Sequence, residues 1–493
     1  MRSSLWKLPS VDPDARPLAR SVEADVVVVG AGIAGLTTAI LLAERGQRVV
    51  VLEAGGIGQG TTGATTAHLT TLWDPGLAEV ETHHGPEVAI AVARAMEEGI
   101  DLIEQLSITH GIDCQFRRVP GYLYAEPHQP LDEAKEEHDA AQRVGLLVEW
   151  VNDVPLPFET QGGFRIDEQA RFDPGPYLEG LRRVLLSKGG RIFENSRVHE
   201  VEDHRVATAE GEVVASHVVL ATHTPLGINP VQVEIPPSRS YVMAMRIEQS
   251  IEDALYWDTA TPYNYLRLYE RDGVEWAILG GFDHRTGEGD EDQAYVGLSK
   301  HARERFRVLE MGPMWSSQLY EPADWLPFIG KSLGAHGAYV ACGFSGDGIV
   351  WGSVAGKIIA DEISGAEHGY GLSFSPRRLS GDAVGKLAEE AKHAAKRLVG
   401  DRFTKVDAGT PEDLQPGRGG IFGRLSKVAA YRDHEGRLHR FSATCPHMKC
   451  IVRFNEAERS FDCPCHGSRF GTDGRVLSGP ALSGLEPDST ENA

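Results

Sequence analysis

Residues 26–54 read VVVVGAGIAGLTTAILLAERGQRVVVLEA. Four valines predict a strand buried on both faces, because such strands run apolar without alternation. A glycine-rich turn follows, then an apolar-periodic helix to Arg45, then RVVVLE as a second strand. That is a βαβ unit. Gly30, Gly32 and Gly35 form G-x-G-x-x-G at its first turn. The first glycine makes the tight turn, the second lets backbone approach a pyrophosphate, and the third permits close helix–strand packing. The helix N-terminus offers N–H donors and a favourable dipole to phosphate. Glu53 ends the second strand, 18 residues after Gly35, where it can accept the ribose hydroxyls. A dinucleotide site is therefore expected here. Val26 to Ala43 carries no charge over 18 residues, the lower limit for a spanning helix. The glycines and the valine run favour a strand turning into a helix instead.

Around this unit the chain extends to 493 residues, which at ~150 per domain suggests about three structural units. With 41% apolar and 24% charged residues it is an ordinary globular composition, not a disordered one. A net charge of −22 argues against nucleic acid and against an anionic membrane surface, since both require clustered Lys and Arg. No apolar h-region follows MRSSLWKLPS, so a soluble, cytoplasmic protein with no membrane span is expected. Residues 1–23 read as an N-terminal arm punctuated by Pro9, Pro13 and Pro17. Residues 75–110 and 131–144 read as helical, and 113–125 as strand. RIFE, VHEVE, RVATAE and EVVASHVVLAT (191–222) read as recurring strands, and 238–284 as strand-rich. From Ala338 a second strand–glycine turn–helix appears. The expected division is 24–375 for the main domain, 376–405 for a connector with a helix over 381–400, and 406–493 for a small β-rich domain.

Cys114 and Cys342 stand alone, whereas Cys445, Cys450, Cys463 and Cys465 fall within 21 residues. Cys445-Pro446-His447 and Cys463-Pro464-Cys465-His466 give C-x-H and C-x-x-H. Two thiolates and two imidazoles suit either Zn²⁺ or a Rieske [2Fe–2S] centre. His434 and His439 lie nearby, but YRDHEGRLH reads as a hairpin. His83 and His84 point about 100° apart on a helix, which fits a polar helix end rather than a mononuclear iron site.

AGGIGQGTTGATTAHLT, after Glu53, is a second Gly/Thr-rich loop of the kind a flavin needs and NAD does not. Here the sequence resembles the D-amino-acid oxidase-like (glycine/sarcosine oxidase-like) FAD family. VVLAT (218–222), DWLPFIG (324–330) and ACGFSGDGIVWGSVAGKIIADEISG resemble its further flavin segments. The resemblance implies an α/β FAD-binding domain (Rossmann-like, glutathione-reductase-type) with an interleaved antiparallel substrate-domain sheet. It places FAD on Gly30, Gly32, Ile33, Ala34, Gly35, Glu53, Ala54, Gly60, Thr61, Thr62, Thr66, His68, Val198, Ala221, Gly343, Gly346, Asp347, Gly348 and Ile349. Asp347 departs from the His that many relatives carry, and an acid there would oppose negative charge on the reduced ring unless it points away or pairs. No second G-x-G-x-x-G for a nicotinamide nucleotide is seen.

CPHMKC, CPCHGSRF and SGPA resemble Rieske domains of the cytochrome bc type. That resemblance implies a small all-β domain with a [2Fe–2S] cluster on Cys445, His447, Cys463 and His466. It further implies a Cys450–Cys465 disulfide, a Ser468 hydroxyl on a bridging sulfide, and Gly479-Pro480-Ala481 covering the cluster. Phe470 replaces the Tyr of high-potential relatives. Nearly the whole chain, including TTGATTAHLT, GIDCQFRRVPGYLY and GGFDHRTG, resembles bacterial flavoproteins of this kind fused to a C-terminal Rieske domain.

Amine oxidases of this resemblance transfer a hydride from the carbon beside nitrogen to flavin, so the site needs positioning groups above all. Candidates are Arg239, Tyr241, Tyr263, Tyr265, Arg267, Asp283 and His284. Alternation puts Tyr263, Tyr265 and Arg267 on one face. The catalytic set expected is His284, Arg267, Tyr265 and His68. Trp73, Trp257, Trp325 and Trp351 read as core, and a covalent flavin link at Cys342 is disfavoured. The function expected is dehydrogenation of a small amine or amino-acid-like substrate, with electrons passing singly through the cluster to a ferredoxin, cytochrome or quinone-linked carrier. Reverse flow toward a reducible substrate and a non-catalytic redox sensor are the alternatives, and a homo-oligomer is compatible with each.

Overall fold

The valine run lies in the strand Val22–Val29, paired in parallel with Val49–Leu52 on one side and Glu212–Leu220 on the other. The computed structural model describes residues 3–11, 17–333, 337–378, 406–423 and 426–488. The expected helix over 381–400 lies outside these residues. Val26, Val27 and Val28 are wholly buried, which is why both faces of the strand are apolar. The sheet continues through Arg191–Phe193 beyond Val49–Leu52, and through Tyr339–Cys342 and Phe328–Lys331 on the other side. The turn then opens the helix Ile33–Glu44. This helix packs against Gly348–Ser364, and small residues set the spacing: a Cβ on Gly352 would stand 2.6 Å from Ile33 and one on Gly356 2.7 Å from Thr37.

A nine-stranded sheet is interleaved with the first. Its order is Val308–Tyr320, Pro237–Ile247, Val274–Arg285, Tyr265–Arg271, Leu255–Asp258, Arg117–Ala125, Gly162–Arg171 and His68–Leu69, with Val148–Val151 also paired to Gly162–Arg171. It is antiparallel as expected except for one parallel pairing, Leu255–Asp258 with Arg117–Ala125. The expected helical stretch 75–110 is two helices, Leu77–His84 and Pro86–Thr109, broken at Gly85. Residues 131–144 form the helix Leu131–Arg143.

Among the elements beyond those expected are Pro174–Ser187, Glu291–Arg305 and the strand Val308–Tyr320. In Glu291–Arg305 the buried residues are Ala294, Tyr295, Leu298, His301 and Ala302, of which Leu298 is the one aliphatic larger than alanine, so in this polar segment periodicity barely registers. The N-terminal arm is docked, with Leu5 and Trp6 buried and the Trp6 ring edge-on to Tyr269. No described helix is long and apolar enough to cross a membrane.

The C-terminal domain is all β. Gly419–Phe422, Val428–Arg432 and Leu438–Ser442 form one antiparallel sheet, and Arg453–Asn455, Ser460–Asp462, Arg469–Gly471 and Val476–Ser478 another. Val452, Phe461 and Phe470 anchor a separate core. YRDHEGRLH is the expected hairpin, in which His439 bonds the Asp433 carboxylate.

Candidate active site

A cavity of about 290 Å³ opens beside the glycine turn. Gly30 has φ +106°, and a Cβ there would stand 2.4 Å from the Ala221 carbonyl oxygen. A Cβ on Gly35 would stand 1.9 Å from the Gly30 carbonyl oxygen, so only glycine lets the helix lie on the strand. Glu53 lines the cavity, and its carboxylate accepts the Ala31 N–H at 2.8 Å and the Gly55 N–H at 2.9 Å. Burial raises its pKa, and these donors with Arg197 oppose that rise.

Two helix N-termini reach the cavity. Gly32 caps one and has no side chain to fill it. Asp347 caps the other, but its carboxylate turns away and accepts the Asp74 N–H at 2.9 Å. Gly348 and Ile349 therefore present an end that no side chain caps. Burial and the neighbouring Asp74 push the Asp347 carboxyl well above its ordinary range, which favours the neutral acid. A glycine cradle with two open helix ends fits FAD, the first for its pyrophosphate and the second for the ring.

Tyr263, Tyr265, Trp257 and His68 line the cavity near Asp283. The Tyr263 hydroxyl donates to Asp74, and Tyr265 shares a 2.7 Å hydrogen bond with Ser240. His68 stands between the Thr66 hydroxyl at 3.0 Å and the Leu266 carbonyl at 3.3 Å, an arrangement that suits the neutral ring with Nε2 protonated. Burial, and then Arg267, push its pKa down to about 3.

In the C-terminal domain the Cys445 and Cys463 thiols are buried and in contact. The His447 and His466 rings meet edge-on at 5.0 Å. His447 Nε2 donates to the Gly227 carbonyl at 3.1 Å, leaving Nδ1 as its ligand atom. Cys450 and Cys465 are joined as a disulfide. Ser468 lies against Cys445, and its hydroxyl accepts the Ala481 N–H at 3.1 Å. Two thiols and two imidazoles with these supports fit a Rieske cluster.

The cluster loops sit on the larger domain. Tyr320 donates to the His466 carbonyl at 3.1 Å, Gln318 to that of Gly467 at 3.0 Å, and the Gly227 N–H to that of Pro480 at 3.1 Å. Leu477, Ser478, Gly479 and Ala481 line the dinucleotide cavity itself. Arg239 of the large sheet reaches Glu458 at 2.8 Å, and Glu458 also pairs with Arg469 at 2.6 Å.

The family described as FAD dependent oxidoreductase matches residues 25–362. The chain belongs to that family. A Rieske [2Fe–2S] domain matches residues 404–487, so the second cofactor is an iron–sulfur cluster rather than zinc. The putative Rieske 2Fe-2S iron-sulfur protein YhfW of Bacillus subtilis (strain 168) is 31% identical over 98% of this chain and 96% of its own length. Gamma-glutamylputrescine oxidoreductase of Escherichia coli (strain K12) is 26% identical over 71% of this chain and 85% of its own. Glycine oxidase from Geobacillus kaustophilus shares the fold, with a TM-score of 0.58, 18% identity, and coverage of 73% of this chain and 100% of that one.

Within this FAD oxidoreductase most of the expected flavin residues line the cavity: Gly30, Gly32, Ile33, Ala34, Glu53, Ala54, Gly60, Thr61, Thr62, Thr66, His68, Val198, Ala221, Gly346, Asp347, Gly348 and Ile349. Gly35 and Gly343 do not. Gly35 sits behind the turn, and Gly343 packs toward Ile235 and Phe328. Two expected catalytic residues are displaced. Arg267 is wholly buried and donates to the carbonyls of Ala67 and Phe172, so it braces the wall rather than meeting a ligand. His284 lies outside the cavity, stacked on Tyr241 with its Nε2 3.1 Å from that hydroxyl. Its neighbour Asp283 faces inward instead, because adjacent strand residues point to opposite sides. Trp257, read as core, is a lining residue. Cys342 packs against the Phe328 carbonyl, away from the cavity. His84 bonds the Asp324 carbonyl and His83 stacks on Trp325, as a polar helix end should. Arg197 and His223 were missed, since neither has a motif of its own.

Two expected results follow from this geometry. Gly35→Ala forces its Cβ into the Gly30 carbonyl, so purified protein should retain at least roughly tenfold less FAD, a loss of about 1.4 kcal/mol or more. Flavin content per chain checks this. Cys450→Ser opens a loop of sequence separation 15, and should lower the stability of the cluster domain by about 2–3 kcal/mol. Denaturant unfolding followed by loss of the cluster spectrum checks that.

Proposed function

We propose that this oxidoreductase dehydrogenates a small amine at the carbon beside nitrogen and sends the electrons, one at a time, through its own Rieske cluster to an external one-electron carrier. FAD supplies a two-electron acceptor and the cluster a one-electron acceptor. The observation that carries this reading is the shared wall: the loop that covers the cluster also lines the flavin cavity.

The residues between the two sites favour short-range transfer. His223 lines the cavity, bonded to Thr61 at 3.1 Å, and its ring lies 4.6 Å from that of Tyr320. Tyr320 in turn holds the His466 carbonyl. At the substrate end, aromatic walls and the neutral His68 exclude water and orient a small organic molecule. The name of the Escherichia coli relative, gamma-glutamylputrescine oxidoreductase, agrees with a C–N substrate. The external acceptor is a ferredoxin, a cytochrome or a quinone-linked protein.

The test is anaerobic. Holoprotein is mixed with primary amines, N-methyl amino acids and D-amino acids, and flavin absorbance and electron paramagnetic resonance are recorded together. Bleaching of the flavin with appearance of the Rieske signal is expected. If dithionite reduces both centres and nothing in the panel reduces either, the dehydrogenase reading fails and reductive flow from the carrier replaces it.

A further inference from the structure

The substrate end of the cavity is lined by aromatic rings and acid, with its nearby cations already committed. Tyr263, Tyr265 and Trp257 present rings to it. Asp283 stands among them, and one of its carboxylate oxygens is buried with no hydrogen-bond partner. Among the described residues Arg197 is the one Lys or Arg that lines the cavity, and it belongs to the Glu53 end. Three buried arginines of the same sheet are held elsewhere, none of them among the lining residues, and Arg171 is paired to Asp253. Arg239 is paired to Glu458 across the domain boundary, and Arg267 is tied to backbone carbonyls. A carboxylate on a substrate would therefore find acid where it needs a cation.

From this we infer that the site selects a protonated alkylamine with no carboxylate on the reacting carbon, enclosed by the three aromatic rings and held by Asp283, which takes the ammonium proton to leave the neutral amine that dehydrogenation requires. Aromatic faces attract cations through their quadrupole, most strongly where water is excluded, and a carboxylate supplies the counter-charge. Burial, together with Asp74 and Glu321, pushes the Asp283 carboxyl well above its ordinary range, and an ammonium seated beside it would shift it back toward the carboxylate. The inference rests on the amine reading above and narrows it to amines rather than amino acids.

Tetramethylammonium, which cannot be dehydrogenated to an iminium, tests recognition apart from turnover. Its binding to oxidised holoprotein is measured by calorimetry, beside N,N-dimethylglycine as the carboxylate-bearing counterpart. The cation should bind at least roughly tenfold tighter than dimethylglycine, equivalent to about 1.4 kcal/mol. Asp283→Asn should weaken the cation by a similar factor, and Asp283→Glu should restore part of it, in protein of normal flavin and iron content. Equal or tighter binding of dimethylglycine overturns the inference, as does an Asn variant that binds the cation like the parent. The comparison of the two ligands on the parent protein stands even if the variants lose flavin. Should the cation bind as described while no amine reduces the flavin, the cation site holds and the dehydrogenase reading fails. Rapid flavin reduction by N-methyl amino acids, with simple amines inert, would do the reverse.

Discussion

Cys463→Ser should empty the C-terminal domain of iron while leaving the flavin in place. The Cys463 thiol is buried against that of Cys445, opposite the two imidazoles, so a weakly ligating hydroxyl there leaves one side of the donor set with a single sulfur. Water cannot easily make good the loss, because the loops around it are closed by the Cys463 N–H to the Ser468 carbonyl and the Cys445 N–H to that of Cys450, each at 2.8 Å. The flavin should survive because the two domains have separate cores: Val452, Phe461 and Phe470 in one, Val26, Leu36 and Ile349 in the other. Iron and acid-labile sulfide should fall to background and the Rieske resonance should vanish, with flavin content near one per chain. Amine should still bleach the flavin, but reduction of a one-electron acceptor should drop to background. Undiminished acceptor reduction would mean that electrons leave without the cluster.

Arg239→Ala should loosen the cluster domain from the flavin domain at a cost of about 3–5 kcal/mol. The Arg239 and Glu458 side chains are 1% and 7% exposed, and removing one partner strands a buried carboxylate. Arg469 remains beside Glu458 and offsets part of the loss, which favours the lower end of that range. Burial alone would raise the Glu458 carboxyl, but Arg239 and Arg469 outweigh it and hold it at about 2. A carboxyl depressed in the folded state contributes stability that is complete above its unfolded value, near 4.5, and disappears as pH falls through about 2. The variant should therefore undock at higher pH than the parent in an acid titration followed by intrinsic fluorescence. Cluster reduction by the flavin should slow in parallel. An unchanged acid midpoint would show that the pair does not hold the domains together.

Much of this was legible from residues 26–54 and 445–466 because the constraints there are local. A doubly buried strand must be apolar throughout, a turn with backbone 1.9 Å from a notional Cβ must be glycine, and a cluster needs its donors closely spaced. The substrate end was only half legible. Tyr263 and Tyr265 both line the cavity, but Tyr263 precedes the strand Tyr265–Arg271 and Arg267 does not line it, and what a cation in that strand does depends on which distant carbonyls or acids lie opposite. Arg267 meets Ala67 and Phe172, and Arg239 meets a glutamate more than 200 residues away in another domain. Neither partner leaves a trace in local periodicity. Asp283 and His284 are adjacent, and only the registry of Val274–Arg285 against Pro237–Ile247 decides which of them faces inward. The packing of the cluster's cover loop into the flavin cavity had no sequence signal, since it is a property of two surfaces.

The most direct measurement is flash photoreduction of the flavin in anaerobic holoprotein, with flavin absorbance and the Rieske resonance followed at several protein concentrations. Transfer across the shared wall predicts that the flavin reoxidises as the cluster becomes reduced, at a rate that does not change with concentration. A cluster that stays oxidised, or a rate that rises in proportion to concentration, would contradict it.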